Sequence, residues 1–381
     1  MVTYPSDWKE DKVSNVVDIS TGCRDTQDNK VTGRYPFFVR SPIVERIDVA
    51  DYDCEAVLTA GDGVGTGKVF HYYNGKFAAH QRVYVMNNFR DVDGRYFFYF
   101  FSKKFIKEVE KYTAKSSVDS VRRAMIADMA FTHPKLPEQE EIVRALETFD
   151  TYIADLTELI EKKRNIREGA LKDLMSRRTR LNTYSDNWEE TALSKICKVF
   201  DGTHQTPKYT LRGIRFVSVE NISDIYASEK FISEAAYESD FKAYPEKGDI
   251  LMTRIGDIGT PTVVDKDEPL AYYVSLALLK NIEIDSQFLK YYICSREFQR
   301  ELDDRTLHHA TPKKINKGEI GKCIVRYPSS KEEQVEIASI LSAVDEEIEA
   351  LEIERDKMIQ IREGAMDDLL TGKVRLVKGD S

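Results

Sequence analysis

Asp201-Gly202-Thr203-His204-Gln205-Thr206-Pro207-Lys208 and His308-His309-Ala310-Thr311-Pro312-Lys313-Lys314 are two short runs of cations, hydroxyls, amides and imidazoles. Arg24, Gln27, Asn29 and Lys30 make a third group, and Lys115, Ser117 and Arg122 sit in the first half where the His308 run sits in the second. Arg254 stands alone beside a stretch of strand character. Thr203, His204, Gln205, Lys208, His308, Thr311, Lys313 and Lys314 are of the types that meet base edges, and cations among them could meet phosphate. The same residue types also fill ordinary surface loops, so composition alone assigns no contact to any single one.

The segment Gly61-Asp62-Gly63-Val64-Gly65-Thr66-Gly67-Lys68 looks like a phosphate cradle but fails the spacing test. In G-x-x-x-x-G-K, Asp62 takes the first glycine's place, and Val69 stands where Ser or Thr would bind magnesium. G-x-G-x-x-G fails too, because Thr66 or Lys68 falls on its third glycine. The segment reads as a loop beside a strand, the alternative being a loop whose N–H groups and Lys68 touch a nucleic-acid backbone. The six histidines and five cysteines show no zinc spacing. G-x-S-x-G, H-E-x-x-H and the Asn/Asp-Pro-Pro-aromatic signature of amino-methyltransferases are absent, as is any pair of adjacent prolines. The residues therefore point to no autonomous active site, no metal and no cofactor bound by this chain.

Something must hold these groups in place, and two helices announce themselves. Residues 138–181 return without a gap as residues 333–376, with about four positions in ten identical and Ile166-Arg167-Glu168-Gly169-Ala170 repeated as Ile361-Arg362-Glu363-Gly364-Ala365. Within the first copy Ile142, Leu146, Phe149, Ile153, Leu156 and Ile160 step by fours and threes, and in the second Ile337, Leu341, Val344, Ile348, Leu351 and Met358 do so. This is the seam of a coiled coil, flanked by charges. It is imperfect, since Lys163, Arg167, Arg355 and Arg362 fall on it. About 40 helical residues make a rod near 60 Å long. Two such stripes in one chain are expected to pair antiparallel.

The stretches between, 1–137 and 182–332, are rich in β-branched and aromatic residues broken by Gly, Asp and Pro, which predicts short strands with some helix. They echo each other: Trp8 parallels Trp188, and Val57-Leu58-Thr59 with Val64-Gly65-Thr66 parallels Leu251-Met252-Thr253 with Ile258-Gly259-Thr260. A repeated scaffold with diverged residues suits one task performed on two targets.

Bulk properties agree with a folded two-domain chain. Its 381 residues suffice for two cores, and hydrophobic content of 41% exceeds that of disordered chains. No apolar run reaches the roughly 18 residues of a membrane span, no signal peptide is evident, and scattered cysteines suit a reducing, cytoplasmic setting. The net charge of −9 is unhelpful for meeting phosphate. Most of it lies in the C-terminal tail from 331, at about −7, while residues 1–137 come to about +2.

Taken together, these features resemble the specificity (S) subunits of type I restriction–modification systems. The resemblance rests on the runs from Pro134 to Gln139 and, more loosely, Pro328 to Gln334. It rests also on Asp150 and Asp345, on the two I-R-E-G-A motifs, on Arg180-Leu181 and Arg375-Leu376, and on Glu246-Lys247-Gly248-Asp249-Ile250-Leu251. The first half departs from the pattern with Asp53-Cys54-Glu55-Ala56. The resemblance implies an α/β fold in which two globular target recognition domains, related by pseudo-twofold symmetry, are joined by two long antiparallel coiled-coil helices. The domains would be 1–137 and 182–332, the helices 138–181 and 333–376, with 377–381 as tail. Each domain would read half of a bipartite, asymmetric site in double-stranded DNA, the half-sites lying about 34 Å apart along the duplex. The helices would set the spacer and dock two modification (methyltransferase) subunits, which bring S-adenosylmethionine. Restriction subunits, with ATP and magnesium, would join them, and this chain would be non-catalytic. Two other readings stay open from residues alone: a coiled-coil scaffold pairing two proteins without reading DNA, and a self-contained methyltransferase.

Overall fold

The computed structural model describes residues 3–111, 120–176, 180–181, 184–185 and 187–376. They form two compact units, Met1–Thr157 with Ile353–Ser381, and Glu158–Glu352.

The first unit opens with β1 (Lys9–Lys12), α1 (Val13–Val16), β2 (Asp18–Thr21), β3 (Tyr35–Phe38), β4 (Glu45–Ile47), β5 (Tyr52–Ala60), β6 (Phe70–Ala79) and β7 (Val83–Asn87). Helices α2 (Gly94–Glu110) and α3 (Arg123–Ala127), strand β8 (Ala130–His133) and the long α4 (Leu136–Met175) follow. Six strands make one sheet in the order β2-β7-β5-β6-β3-β4, and β1 pairs with β8. Residues Ala56–Ala60 of β5 are all buried, as a central strand covered on both faces requires. Asp93 caps α2 by accepting from the N–H groups of Arg95 and Tyr96. The helix buries Tyr96, Phe97, Tyr99, Phe100, Phe101 and Phe105, and Phe131 of β8 meets Phe100 edge-on at 4.9 Å.

The second unit repeats this plan. It contains β9 (Trp188–Ala192), α5 (Leu193–Ile196), β10 (Lys198–Asp201), β11 (Ile214–Val217), β12 (Phe231–Ile232), α6 (Glu234–Asp240), β13 (Ile250–Ile255), β14 (Asp257–Val263), β15 (Leu270–Tyr272) and β16 (Leu276–Lys280). After them come α7 (Ser286–Ile293), α8 (Arg296–Asp304), α9 (Lys317–Lys322), β17 (Ile324–Pro328) and α10 (Lys331–Leu369). The order β10-β16-β13-β14 matches β2-β7-β5-β6, and β9 pairs with β17 as β1 does with β8. Asp285 caps α7 as Asp93 caps α2.

Register corrects one of the parallels drawn from sequence. Gly259 and Thr260 lie within β14, whereas Gly65 and Thr66 lie in the loop between β5 and β6. That glycine-rich loop belongs to the first unit alone, since only Gly256 separates β13 from β14. A Gly-Thr pair is too common to fix an alignment.

Each long helix contributes its first half to one unit and its second half to the other. The helices end at Met175 and Leu369, short of the expected 181 and 376. Gly372 closes the second at φ +69, the left-handed conformation that ends helices. Residues 177–179, read from sequence as further helix, lie outside the described residues.

The expected seam is present but shared. In the first unit Ile142 and Leu146 pack with Met366, Leu369 and Leu370 and with the aromatic residues of α2. In the second, Ile337 and Leu341 pack with Leu171, Leu174 and Met175 and with α7. These stripes are therefore domain core as well as helix seam. Leu156 and Ile160 are buried; Phe149, Ile153, Val344, Ile348, Leu351 and Met358 are half-buried.

Two of the polar residues that spoiled the seam, Arg167 and Arg362, prove to fasten it. Arg362 Nε donates to Asp150 at 2.5 Å, and Arg375 grips Glu138 through two nitrogens at 2.7 and 2.9 Å. The second unit makes the same ties with repeat-matched residues: Arg167 to Asp345 at 2.7 Å and Arg180 to Glu333 at 3.3 Å. Tyr99 donates to Asp150 and Tyr291 to Asp345, so each carboxylate also receives a domain hydroxyl. Burial first, then that carboxylate, pushes both phenols well above their ordinary pKa. Buried Gln139 and Gln334 complete the set by accepting from the backbone N–H of Asp93 and Asp285.

Candidate nucleic-acid interface

In both units the first polar loop begins at a glycine that nothing else can replace. A Cβ on Gly22 would lie 2.0 Å from the carbonyl oxygen of Ala79, and one on Gly202 would lie 2.3 Å from that of Tyr272. The chain thus leaves β2 and β10 pressed against a neighbouring strand. In the second unit the Thr203 N–H donates to Tyr272 and the Val274 N–H to the Thr203 carbonyl.

The second unit brings its two sequence clusters to one edge. Arg254 sits at a register shift in the pairing of β13 with β14, which turns it inward. Its Nε donates to the carbonyl of Ile315 at 3.0 Å, while one terminal nitrogen donates to Asp201 at 2.9 Å and to the Val274 carbonyl at 3.3 Å. One guanidinium therefore joins the root of the Thr203–Lys208 loop to the end of the His308–Lys314 loop. Arg254 is 5% exposed, so its selection as a contact residue is corrected: the side chain is buried, with Nε and one terminal nitrogen engaged inside the fold.

Around that edge His204, Gln205, Lys208, Thr311, Lys313 and Lys314 are exposed, and Thr203 is half-buried. Among the described residues Lys208, Lys313 and Lys314 form no ion pair with a carboxylate. His308 is exposed and rests against Asp303, whose carbonyl lies 3.0 Å from its ring. Lys317, which lies just past the run that ends at Lys314, stands 3.9 Å from Asp201. Leu211, 98% exposed, and Tyr209 bring apolar surface beside the first loop.

The first unit gathers its groups differently. Arg24 is held by Asp51 through Nε and a terminal nitrogen, and these hydrogen bonds raise its pKa and lower that of Asp51. Asn29 donates to Glu45 at 2.7 Å. Arg24 and Asn29, both named from sequence as contact candidates, are thus each paired with a carboxylate of their own unit. Gln27, Lys30, Lys68 and Arg122 are exposed. Lys115 and Ser117 lie outside the described residues. A cleft of about 750 Å³ unites the first polar loop with the glycine-rich one, lined among others by Thr26, Arg40, Ser41, Glu45, Val64 and Lys68. Val64 is 96% exposed at its rim, and Arg40 pairs with Asp62 at 2.8 Å. Sequence gave no signal for Arg40 or Glu45, whose roles come from loops that meet only in the fold.

Among the described residues no group of three or more His, Cys, Asp or Glu is placed to hold a metal ion, and no helix is long and apolar enough to cross a membrane.

Fold and site together define a duplicated protein: two α/β domains of one scaffold present different polar loops, each clasped by the paired halves of two long helices. Residues 5–166 and 185–359 both match the type I restriction modification DNA specificity domain. The MjaVIII specificity subunit of Methanocaldococcus jannaschii, a type I restriction enzyme component, is 23% identical across 98% of this chain and 94% of its own length. The EcoDI specificity subunit of Escherichia coli is 32% identical over 38% of this chain and 31% of its own. In structure, the S subunit of a type I restriction–modification system from M. genitalium superposes with a TM-score of 0.67 at 18% identity, covering 95% of this chain and 96% of that one. The chain belongs to the type I restriction–modification DNA specificity family. Its function is the recognition of DNA sequence within such a complex.

Proposed function

We propose that each domain reads one half of a split, asymmetric DNA site, and that the long helices hold the two readings at a fixed spacing. One observation carries this reading: two domains share strand order, caps and helix ties while most of the exposed polar residues of their loops differ. A common frame with divergent loops matches one operation on two sequences. The exposed cations and amides suit phosphate and base-edge contacts, and exposed Val64 and Leu211 suit thymine methyl groups.

The chain acts as a non-catalytic reader in the cytoplasm. Methyl transfer from S-adenosylmethionine belongs to modification subunits, two per specificity subunit, docked on the helical frame. Restriction subunits using ATP and magnesium complete the assembly. A structure titled for the complex assembly of the type I restriction–modification system has the same fold, with a TM-score of 0.55 at 14% identity, and supports assembly with partners. The modest acidity of the chain is compatible with this, since partner subunits would supply part of the positive surface around DNA.

Exchanging residues 1–137 for those of a relative with another target should change one half-site and leave the other half and the spacer intact, read by mapping methylated adenines. A change in both halves would sink the division of labour. Inserting the same four residues, about one helical turn, into the middle of both long helices should lengthen the spacer; an unchanged spacer would refute the ruler.

A further inference from the structure

The tie that Arg254 makes has a counterpart in the first unit, built from other atoms. Backbone hydrogen bonds define the equivalence. Gly61 N–H donates to the carbonyl of Arg82 at 2.7 Å, and Arg254 N–H to that of Ser275 at 2.9 Å. Val121 N–H donates to Gly61 at 2.7 Å, and Ile315 N–H to Arg254 at 3.0 Å. Strand pairing adds a second match, since Tyr84 stands opposite Thr21 while Ala277 stands opposite Asp201. Gly61 therefore occupies the place of Arg254, Val121 that of Ile315, and Tyr84 that of Ala277.

In the second unit the guanidinium of Arg254 holds the Ile315 carbonyl from 3.0 Å, and alanine at 277 leaves room for it. In the first unit the hydroxyl of Tyr84 holds the Val121 carbonyl from 3.1 Å. Gly61 cannot carry a side chain there, because a Cβ would lie 2.9 Å from the Arg82 carbonyl and 3.1 Å from the Tyr84 ring. The pair Gly61/Tyr84 and the pair Arg254/Ala277 are two solutions to one task. That task is to fix the end of the second polar segment, at Arg122 or at Lys314, to the edge of the sheet where the first polar loop begins.

We propose that Arg254 and Tyr84 are specificity-determining positioning residues, each setting the geometry of one reading surface without touching DNA. The inference rests on the reading above, that these loops meet DNA. Base discrimination by a side chain depends on aligned donors and acceptors, and a loop displaced by about 1 Å loses much of it. Arg254 is positioned to matter more, because its fork also holds Asp201 and Val274. Among the described residues the Tyr84 hydroxyl makes one hydrogen bond, and the first loop of its unit is fastened separately by the Arg24–Asp51 pair.

The test uses the chain assembled with its modification subunits and compares methylation of the cognate site with every single-base variant of it. Arg254→Met should lower the preference for cognate over near-cognate bases by about tenfold or more in the second domain's half-site only. Arg254→Lys, which keeps the charge beside Asp201 but loses the fork, should lower it less, and serves if the Met variant fails to fold. Tyr84→Phe should lower it about threefold to tenfold in the first domain's half-site only. Equal relaxation of both halves by any of these variants would mark a merely structural role and overturn the proposal. Unchanged discrimination in a folded complex would overturn it as well. If Lys208→Gln, Lys313→Gln and Lys314→Gln together leave DNA affinity intact, the underlying placement of DNA fails instead, and the two failures are told apart.

Discussion

Changing Lys208, Lys313 and Lys314 to glutamine together should weaken DNA binding by the assembled complex about 10²-fold near physiological salt. All three are exposed, free of carboxylate partners among the described residues, and grouped at the edge where Arg254 joins two loops. Each lysine that meets a phosphate releases counterions on binding and contributes about 0.9 to the slope of log affinity against log salt. Loss of three should make that slope shallower by about 2.7. The weakening should be similar for cognate and unrelated sequences, because phosphate contacts position the protein and do not read bases. A titration at four salt concentrations checks this. An unchanged slope would remove these lysines from the interface.

The second large effect falls on stability. Gln139 and Gln334 are buried where each long helix begins. Gln139 accepts from the Asp93 N–H at 2.9 Å and donates to the Pro134 carbonyl at 2.9 Å. Gln334 accepts from Asp285 at 2.8 Å and donates to Pro328 at 2.7 Å. Leucine at either place fills the same volume but removes the acceptor of a half-buried N–H and the amide donor to a buried carbonyl. The cost is about 3 kcal/mol, larger than one typical lost hydrogen bond because two bonds are lost at a largely desolvated site. For a unit of this size that lowers Tm by about 6–12 °C, measurable by scanning calorimetry. Gln139→Leu should destabilise the first unit and Gln334→Leu the second. A shift below 1 °C would mean that water or a rearranged backbone replaces the amide.

Much of the frame was legible in the sequence because helical periodicity and the repeat are local signals. Ile142, Leu146, Ile337 and Leu341 could be read as buried from spacing alone. What they would meet could not, since Met366 and Leu370 reach Ile142 and Leu146, and Leu171 and Leu174 reach Ile337 and Leu341, from the distant copy of the repeat. Arg167 and Arg362 looked like flaws in an apolar seam for the same reason. Their partners Asp345 and Asp150 are 178 and 212 positions distant, and only antiparallel pairing shows that each carboxylate meets an arginine. Gln139 and Gln334 were visible merely as the ends of a repeated motif, although they hold the backbone of the residues that cap α2 and α7.

The contact residues were harder to read, and Arg254 shows why. An arginine near a strand end is normally solvent-facing, and nothing local marks one that is buried by an acid 53 positions earlier. Arg24 and Asn29 were likewise chosen by type, while Asp51 and Glu45 engage them across strands. The cluster around Lys313 and Lys314 is exposed, as its composition suggested. It was chosen for its density of polar groups, and a dense polar run in a loop has few ways to be buried.

The central claim, that this chain supplies the sequence reading for a methylating complex, is tested most directly by a methylome. The chain is expressed with its neighbouring modification subunit in a host lacking adenine methylation, and N6-methyladenine is mapped across the genome. A split, asymmetric motif that disappears when this chain is omitted is the expected result, and it reveals the target at once. No motif, from a folded complex shown to bind S-adenosylmethionine, would contradict the account.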